Sequence, residues 1–250
     1  MAQVIAVTNQ KGGVGKTTTT INVAYNIAKA GKKVLLVDLD PQGNASSGLD
    51  ISKNSATTRD VLVGKSTLAN AAKESVYKNL FVLPTDAELA TLETEIATAK
   101  NRALRLKEVL SDTDYDVVLI DCPPSLGLLT VNALTAANSV IVPVQTEYYA
   151  LEGLGQLLET MKLVRQALNP RLAILGVVMT MHNARTTLSA QVEEQLRANF
   201  KERLFETVVP RNIRVAEAPS HGKPVGEYDK WSKGARAYKA LTKEIMERLS

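Results

Sequence analysis

The sequence predicts an α/β fold: a doubly wound, mostly parallel β-sheet with helices on both faces, in a single domain spanning 1–250. Three observations lead there. Short β-branched runs alternate with longer stretches of helical periodicity, which implies repeated right-handed strand–helix–strand crossovers. Several of the runs are apolar at successive positions, as in strands buried on both faces. No stretch has the composition shift or the Pro/Gly/Ser richness of a linker.

The predicted strands are Val4–Thr8, Val34–Asp38, Leu80–Leu83, Val117–Asp121, Val140–Val144 and Ile174–Thr180. Helical patterns fill Thr17–Ala30, Asp86–Thr98, Arg102–Ser111, Leu128–Ala137 and Leu151–Leu168. In the last of these, Leu154, Leu157, Leu158, Met161 and Val164 recur at spacings of three and four, the stripe of a helix that buries one face. Gly31 stands where the first helix should end, as a C-cap. Residues 45–79 carry the least regular pattern.

Composition narrows the function classes. Of 250 residues, 45% are hydrophobic and 22% charged, an ordinary globular balance. The one cysteine, Cys122, excludes an intrachain disulfide and argues against a cysteine-only metal site. The N-terminus has neither the basic region nor the cleavage site of a signal peptide, and no apolar run reaches the ~18 residues of a membrane span. A cytoplasmic location is expected. The net charge of +4 is unevenly spread: residues 1–181 hold 17 basic and 17 acidic side chains, and residues 182–250 hold 13 and 9. A basic surface near the C-terminus could meet phosphate backbones or simply be solvated.

The strongest motif is Lys11-Gly12-Gly13-Val14-Gly15-Lys16-Thr17-Thr18. It follows the first strand directly and opens the first helix, the context a phosphate loop requires. Its glycines let backbone N–H groups converge on phosphate oxygens, and the helix N-terminus adds partial positive charge. Lys16 should reach the β- and γ-phosphates, and the Thr17 hydroxyl should ligate Mg²⁺. Two strands end in carboxylates, on the side where open α/β sheets bind ligands. The second strand ends in Asp38-Leu39-Asp40, whose two acids share strand parity. The fourth, Val117–Asp121, has the form of a Walker B strand, with Asp121 expected to hold Mg²⁺ through a water. The architecture is therefore that of a P-loop NTPase. Cys122 reads as a packed side chain.

The loop departs from the standard pattern: Gln10 occupies the place of its first glycine, and a lysine follows at Lys11. K-G-G-x-G-K-T resembles the deviant Walker A motif of the ParA/MinD family of ATPases. The resemblance implies ATP and Mg²⁺ as ligands, and a homodimer in which Lys11 crosses to the partner's phosphates while Lys16 serves its own. It also implies that Asp40 positions the attacking water and that Asp38 supports the Mg²⁺ shell. Pro210-Arg211-Asn212 would line the adenine pocket, with Pro210 and Asn212 as contacts. Asp-Pro-Gln-Gly-Asn at 40–44, Asp-Cys-Pro-Pro-Ser at 121–125, Glu-Tyr-Tyr-Ala-Leu-Glu-Gly at 147–153 and Glu-Ala-Pro-Ser-His-Gly-Lys-Pro at 217–224 resemble the chromosome-partitioning ParA/Soj branch.

That branch implies an ATP-dependent sandwich dimer on nonspecific double-stranded DNA, nucleoid-associated, released when a ParB-like partner stimulates slow hydrolysis. It also implies a role in regulating replication initiation. Arg185 and Arg214 match family arginines and are the candidate DNA contacts. No sequence-reading motif is present, so contacts should be to the backbone. Rival branches fit less well. Nitrogenase iron protein needs two cluster cysteines per subunit, and iron–sulfur carrier ATPases usually carry C-x-x-C. A MinD-like membrane ATPase would need an amphipathic tail; Tyr238–Ser250 has helical spacing but no Phe or Trp, and fits a helix packed on its own domain. A metabolic P-loop ligase would have no use for Lys11.

Overall fold

The computed structural model describes residues 2–52, 56–147, 150–183 and 186–249. Its sheet has seven strands in the order β3-β4-β2-β5-β1-β6-β7. They are β1 (Gln3–Val7), β2 (Val34–Asp38), β3 (Lys73–Glu74), β4 (Leu80–Leu83), β5 (Val117–Asp121), β6 (Ser139–Gln145) and β7 (Ala173–Thr180). All neighbours run parallel except the two-residue β3, which pairs antiparallel with β4. The six predicted strands are present, with ends within one residue of expectation. The short β3 lies in the irregular 45–79 region and escaped prediction because two residues carry no period.

The continuous apolar runs arise because each strand feeds two cores. Val34 and Leu36 point into one cluster, Leu35 and Val37 into the other. The same alternation holds for Val117 and Leu119 against Val118 and Ile120. One cluster is covered by α1 (Lys16–Lys29) and by α12 (Lys233–Leu249), which lie against each other. The opposite face is covered by helices that include α3 (Thr58–Leu62), α6 (Arg105–Leu110), α7 (Leu128–Ala136), α8 (Ala150–Ala167) and α9 (Thr187–Phe200). The remaining helices are the short α2 (Asn44–Ser47), α4 (Leu68–Ala71), α5 (Leu92–Glu95), α10 (Ile213–Glu217) and α11 (Val225–Tyr228).

Local signals account for several boundaries. Gly31, at φ +94°, takes the left-handed position just past α1 and donates to the Ala28 carbonyl. Thr57 and Asp60 form a capping box on α3. The helix expected over 86–98 is broken instead. Asp86 caps a 3₁₀ turn over Ala87–Thr91, and α5 is one turn long. Leu89 and Leu92, three apart, are both fully buried, and a tighter three-residue turn brings such a pair to the same face. The C-terminal tail buries Tyr238, Leu241 and Ile245 of α12 in the core. Its apolar face is thus occupied by the protein itself. No described helix is long and apolar enough to cross a membrane.

Candidate functional site

β1, β2 and β5 lie side by side and end at the same level, with Val7 beside Asp121 and Asp38 beside Asp121. The loop after β1 turns into α1 through Gly13 at φ +74° and Gly15 at φ +86°, conformations a side chain would strain. Val14 is buried, and its carbonyl accepts a hydrogen bond from the Thr180 hydroxyl at 2.8 Å, which ties the loop to the end of β7. The loop encloses a cavity of about 310 Å³ with Gly12, Gly13, Lys16, Thr17, Asp40 and Pro124 on its walls. An adjoining cavity of about 230 Å³ is lined by Thr180, Pro210, Asn212, Val215 and Tyr238. Gly15, Thr18 and Met181 line both, so a polar chamber adjoins a smaller, more enclosed and more apolar one.

Lys16 is buried, and its Nζ donates to the Lys11 carbonyl at 3.1 Å. Burial lowers its pKa, and the nearby Asp121 acts in the opposite sense. Lys11 behaves differently. Its side chain is absent from the cavity wall, and its Nζ lies 3.5 Å from Glu147 at the end of β6. Glu147 also meets Arg211 at 3.7 Å. The two lysines, five residues apart, therefore have separate destinations: one in the phosphate cavity, one on the rim.

The carboxylates form a tight acidic group. Asp121 is fully buried; Thr20 donates to its Oδ1 at 3.1 Å, and the Thr17 hydroxyl lies against it. Among the described residues its Oδ2 has no hydrogen-bond partner. Burial pushes the Asp121 carboxyl up to about 8, and the charge on Asp38 adds to the rise. Asp38 is pushed up to about 6, again chiefly by burial. An orphaned, buried carboxylate oxygen beside a second carboxylate and a hydroxyl suits a divalent cation. One or two carboxylates and a threonine, with waters and phosphates completing the shell, is the donor set Mg²⁺ takes. Among the described residues no group of three His, Cys, Asp or Glu side chains forms a cation cage, so the nucleotide's own phosphates would have to supply ligands.

Asp38 also has a structural task that its sequence context did not reveal. Its Oδ2 accepts from the backbone N–H and hydroxyl of Ser46 at 2.8 and 2.7 Å, holding α2 against the strand end. Asp40 is nearly buried and faces the phosphate cavity; one oxygen accepts the Gln42 N–H at 3.0 Å. Asn212 lines the base cavity, yet its Oδ1 caps α10 by accepting the Val215 N–H at 3.3 Å. That leaves its amide NH₂ as the group available to a base. Cys122 is buried, with its thiol pushed up by burial and by Asp121, as a packed side chain should be.

Four contributors had no sequence signal strong enough to find them. Thr20 reaches Asp121 from the first turns of α1. Glu147 holds Lys11. Met181, at φ +48°, forms the corner between the two cavities, and Tyr238 closes the base cavity from α12. The last two lie far along the chain from the motif they serve.

The proposed DNA contacts are placed unequally. Arg185 lies outside the described residues. Arg214 is exposed on α10, paired with Glu217 at 2.9 Å and Asp229 at 3.5 Å.

The family follows from this crevice and from direct comparison. A family model described as an AAA domain matches residues 2–174. The chain is 51% identical to the sporulation initiation inhibitor protein Soj of Bacillus subtilis, over 98% of both chains. It belongs to the ParA/Soj family of P-loop ATPases. The chromosome partitioning protein ParA of Caulobacter vibrioides is 49% identical, covering 98% of this chain and 94% of its own. Among solved structures, one titled cobyrinic acid a,c-diamide synthase from Mycobacterium smegmatis, bound to an ATP analog and magnesium, is 37% identical. It superposes with a TM-score of 0.89 over 100% of this chain and 96% of that one.

Proposed function

We propose that this protein is an ATP-hydrolysing partitioning ATPase that ATP converts into a DNA-binding dimer. The observation that carries the reading is the separation of Lys11 from Lys16. Lys16 is inside the cavity and would neutralise its own nucleotide's phosphates. Lys11 is held at the rim by Glu147, outside its own cavity, where a second copy's phosphates could draw it across the interface. In the dimer both cations face the γ-phosphoryl group. A water positioned by Asp40 attacks the γ-phosphorus in line and gives its proton to Asp40 or a phosphate oxygen, the bond to the bridging oxygen breaks with ADP as leaving group, and the two lysines offset the charge spread over the transferring phosphoryl group. Thr17 and Asp121, with Asp38 supporting the shell, would hold Mg²⁺, which would supply positive charge to offset that of the phosphates. Asp40 is a weak base, so hydrolysis is slow until a ParB-like partner, engaging through a basic N-terminal peptide, completes the site.

DNA binding in this reading is nonspecific, directed at phosphates, and doubled by dimerisation, with Arg185 and Arg214 as contributors. The burial of the apolar face of α12 in the core favours DNA over a membrane surface. The test is DNA binding by Asp40→Ala with ATP, with ADP and without nucleotide, across a salt series. Binding only with ATP, lost steeply as salt rises, supports the switch. Binding to anionic liposomes in place of DNA would overturn it in favour of a membrane ATPase. Turnover that depends on a small acceptor molecule and ignores DNA would favour the ligase chemistry named for the Mycobacterium relative.

A further inference from the structure

Two large concavities lie apart from the phosphate loop. Two cavities of about 570 and 700 Å³ share Leu158, Ile174 and Arg203 and form one continuous trough between α8 and the edge strand β7. None of their lining residues belongs to the phosphate loop, the acidic strand ends or the base cavity. The α8 wall presents Leu154, Gly155, Leu158, Met161, Lys162 and Arg165, about three helical turns or ~17 Å. Ile174 forms the floor, and Phe200 closes the far side.

The rim is cationic and unmatched. Lys162, Arg165, Arg171, Lys201 and Arg203 surround the trough, against one acid, Glu202. Among the described residues none of these five cations is in an ion pair, whereas Arg59, Arg197, Arg211, Arg214 and Arg248 all are. Gly155 adds an independent observation. A Cβ there would meet nothing within 4 Å, so no internal packing asks for glycine inside this helix, a position that disfavours it. Its bare backbone widens the trough for a body from outside.

We propose that the trough is a docking site for an acidic amphipathic helix of a partner protein. Apolar side chains of such a helix would sit on Leu158 and Ile174, over Gly155, and its carboxylates would pair with the five free cations. The chemistry selects against nucleic acid: a duplex is too broad to enter a trough between a helix and a strand edge, and phosphates gain nothing from an apolar floor. Because the trough shares no residue with the nucleotide cavities, docking persists with or without ATP.

The test uses the full chain and a fluorescein-labelled helical peptide of about five turns. Its sequence has Leu at i, i+3, i+4 and i+7 spacing and Glu elsewhere; a control carries Lys for every Glu. Fluorescence anisotropy should show saturable binding of the Leu/Glu peptide, equal with and without Mg-ATP, and none of the control. Gly155→Leu, which fills the trough, and the exposed pair Arg165→Glu with Arg171→Glu should each weaken it by about tenfold or more. Both variants should keep wild-type DNA binding and ATP turnover. Failure of the Leu/Glu peptide to saturate, or unchanged affinity in both variants, overturns the proposal. So does loss of DNA affinity in the arginine pair with peptide binding intact, which would assign these cations to a nucleic-acid surface.

Discussion

Lys16 and Asp121 are buried ionisable groups with few partners; Arg214 and Arg197 are exposed charges with two ion-pair partners each. In the nucleotide crevice, Asp121 keeps one oxygen unsatisfied and Lys16 rests on a backbone carbonyl. In the basic C-terminal quarter, Arg197 pairs with Glu193 and Glu206, and Arg214 with Glu217 and Asp229. The contrast separates two uses of charge. Where a ligand must bind tightly, the protein leaves its own groups unpaired and accepts the loss of stability. At Arg197 and Arg214 the exposed charge is paired internally, whereas among the described residues Lys201 and Arg203 have no ion pair. Counting Lys and Arg thus overstates the cations available for DNA in residues 182–250.

The largest expected effect lies in the crevice. Lys16→Ala removes the one ammonium group inside the phosphate cavity. Its affinity for ATP, measured by calorimetry or a fluorescent analogue, should fall by about 100-fold or more, roughly 2.8 kcal/mol. Thermal stability without nucleotide should change little, since among the described residues the lysine donates one hydrogen bond, to a carbonyl. Near-normal ATP binding would mean that the cavity is not the phosphate site.

Asp121→Asn sharpens the comparison because function and stability should move in opposite directions. The amide keeps the shape, loses the charge, and should weaken Mg²⁺-dependent nucleotide binding by about tenfold or more. The nucleotide-free fold should gain on the order of 1–3 kcal/mol at neutral pH, since folding no longer has to take up a proton onto a buried acid. The pH dependence has a definite sign. The carboxyls of Asp121 and Asp38 are raised in the folded state to about 8 and about 6, above the ~3.9 of an unfolded chain. Their stabilising contribution is complete below that unfolded value and is lost as pH rises through the folded values. Melting temperatures of the nucleotide-free, Mg²⁺-free protein should therefore decline between about pH 5 and pH 8. Asp121→Asn should flatten that decline. Melting temperatures that stay flat across this range in the wild type would mean that burial does not raise these two carboxyls.

These two positions also show where the sequence was and was not a sufficient guide. The strands, the phosphate loop and both acidic strand ends were legible because each is a local pattern: a continuous apolar run, a glycine spacing, a carboxylate at a strand terminus. Glu147, Met181 and Tyr238 were not, because their roles depend on which strand ends the sheet brings together. Asp38 was legible as an acid at the crevice but not as the anchor of Ser46, eight residues on. The 86–98 helix was misread because helical periodicity does not distinguish an α-turn from a 3₁₀ turn when the buried leucines are three apart.

A third prediction probes the packing of the C-terminal quarter against the sheet. A Cβ on Gly176 would lie 2.4 Å from the Phe205 ring and 2.8 Å from Arg248, and Arg248 stacks over the same ring at 4.1 Å. Arg248 in turn donates to the carbonyls of Leu175 and Leu204. Gly176→Ala should destabilise the protein by about 1–3 kcal/mol in denaturant unfolding, with ATP affinity unchanged in the remaining folded protein. Loss of ATP binding at full stability would mean that this seam communicates with the crevice.

The smallest effect is expected at Arg214, and it tests the other half of the comparison directly. Its pairs with Glu217 and Asp229 are exposed, so Arg214→Ala should cost no more than about 1 kcal/mol of stability. For DNA, a phosphate must compete with two carboxylates for the same guanidinium, and those carboxylates repel the backbone. Arg214→Ala should therefore lower DNA affinity only a few-fold and reduce the slope of log affinity against log salt by less than the ~0.9 of a fully engaged phosphate contact. Glu217→Ala should act in the opposite direction: it frees Arg214, removes a negative charge, and should raise DNA affinity and steepen the salt dependence. If Arg214→Ala abolishes DNA binding and Glu217→Ala leaves it unchanged, the arginine leaves its internal partners when DNA arrives. The paired state would then describe only the free protein.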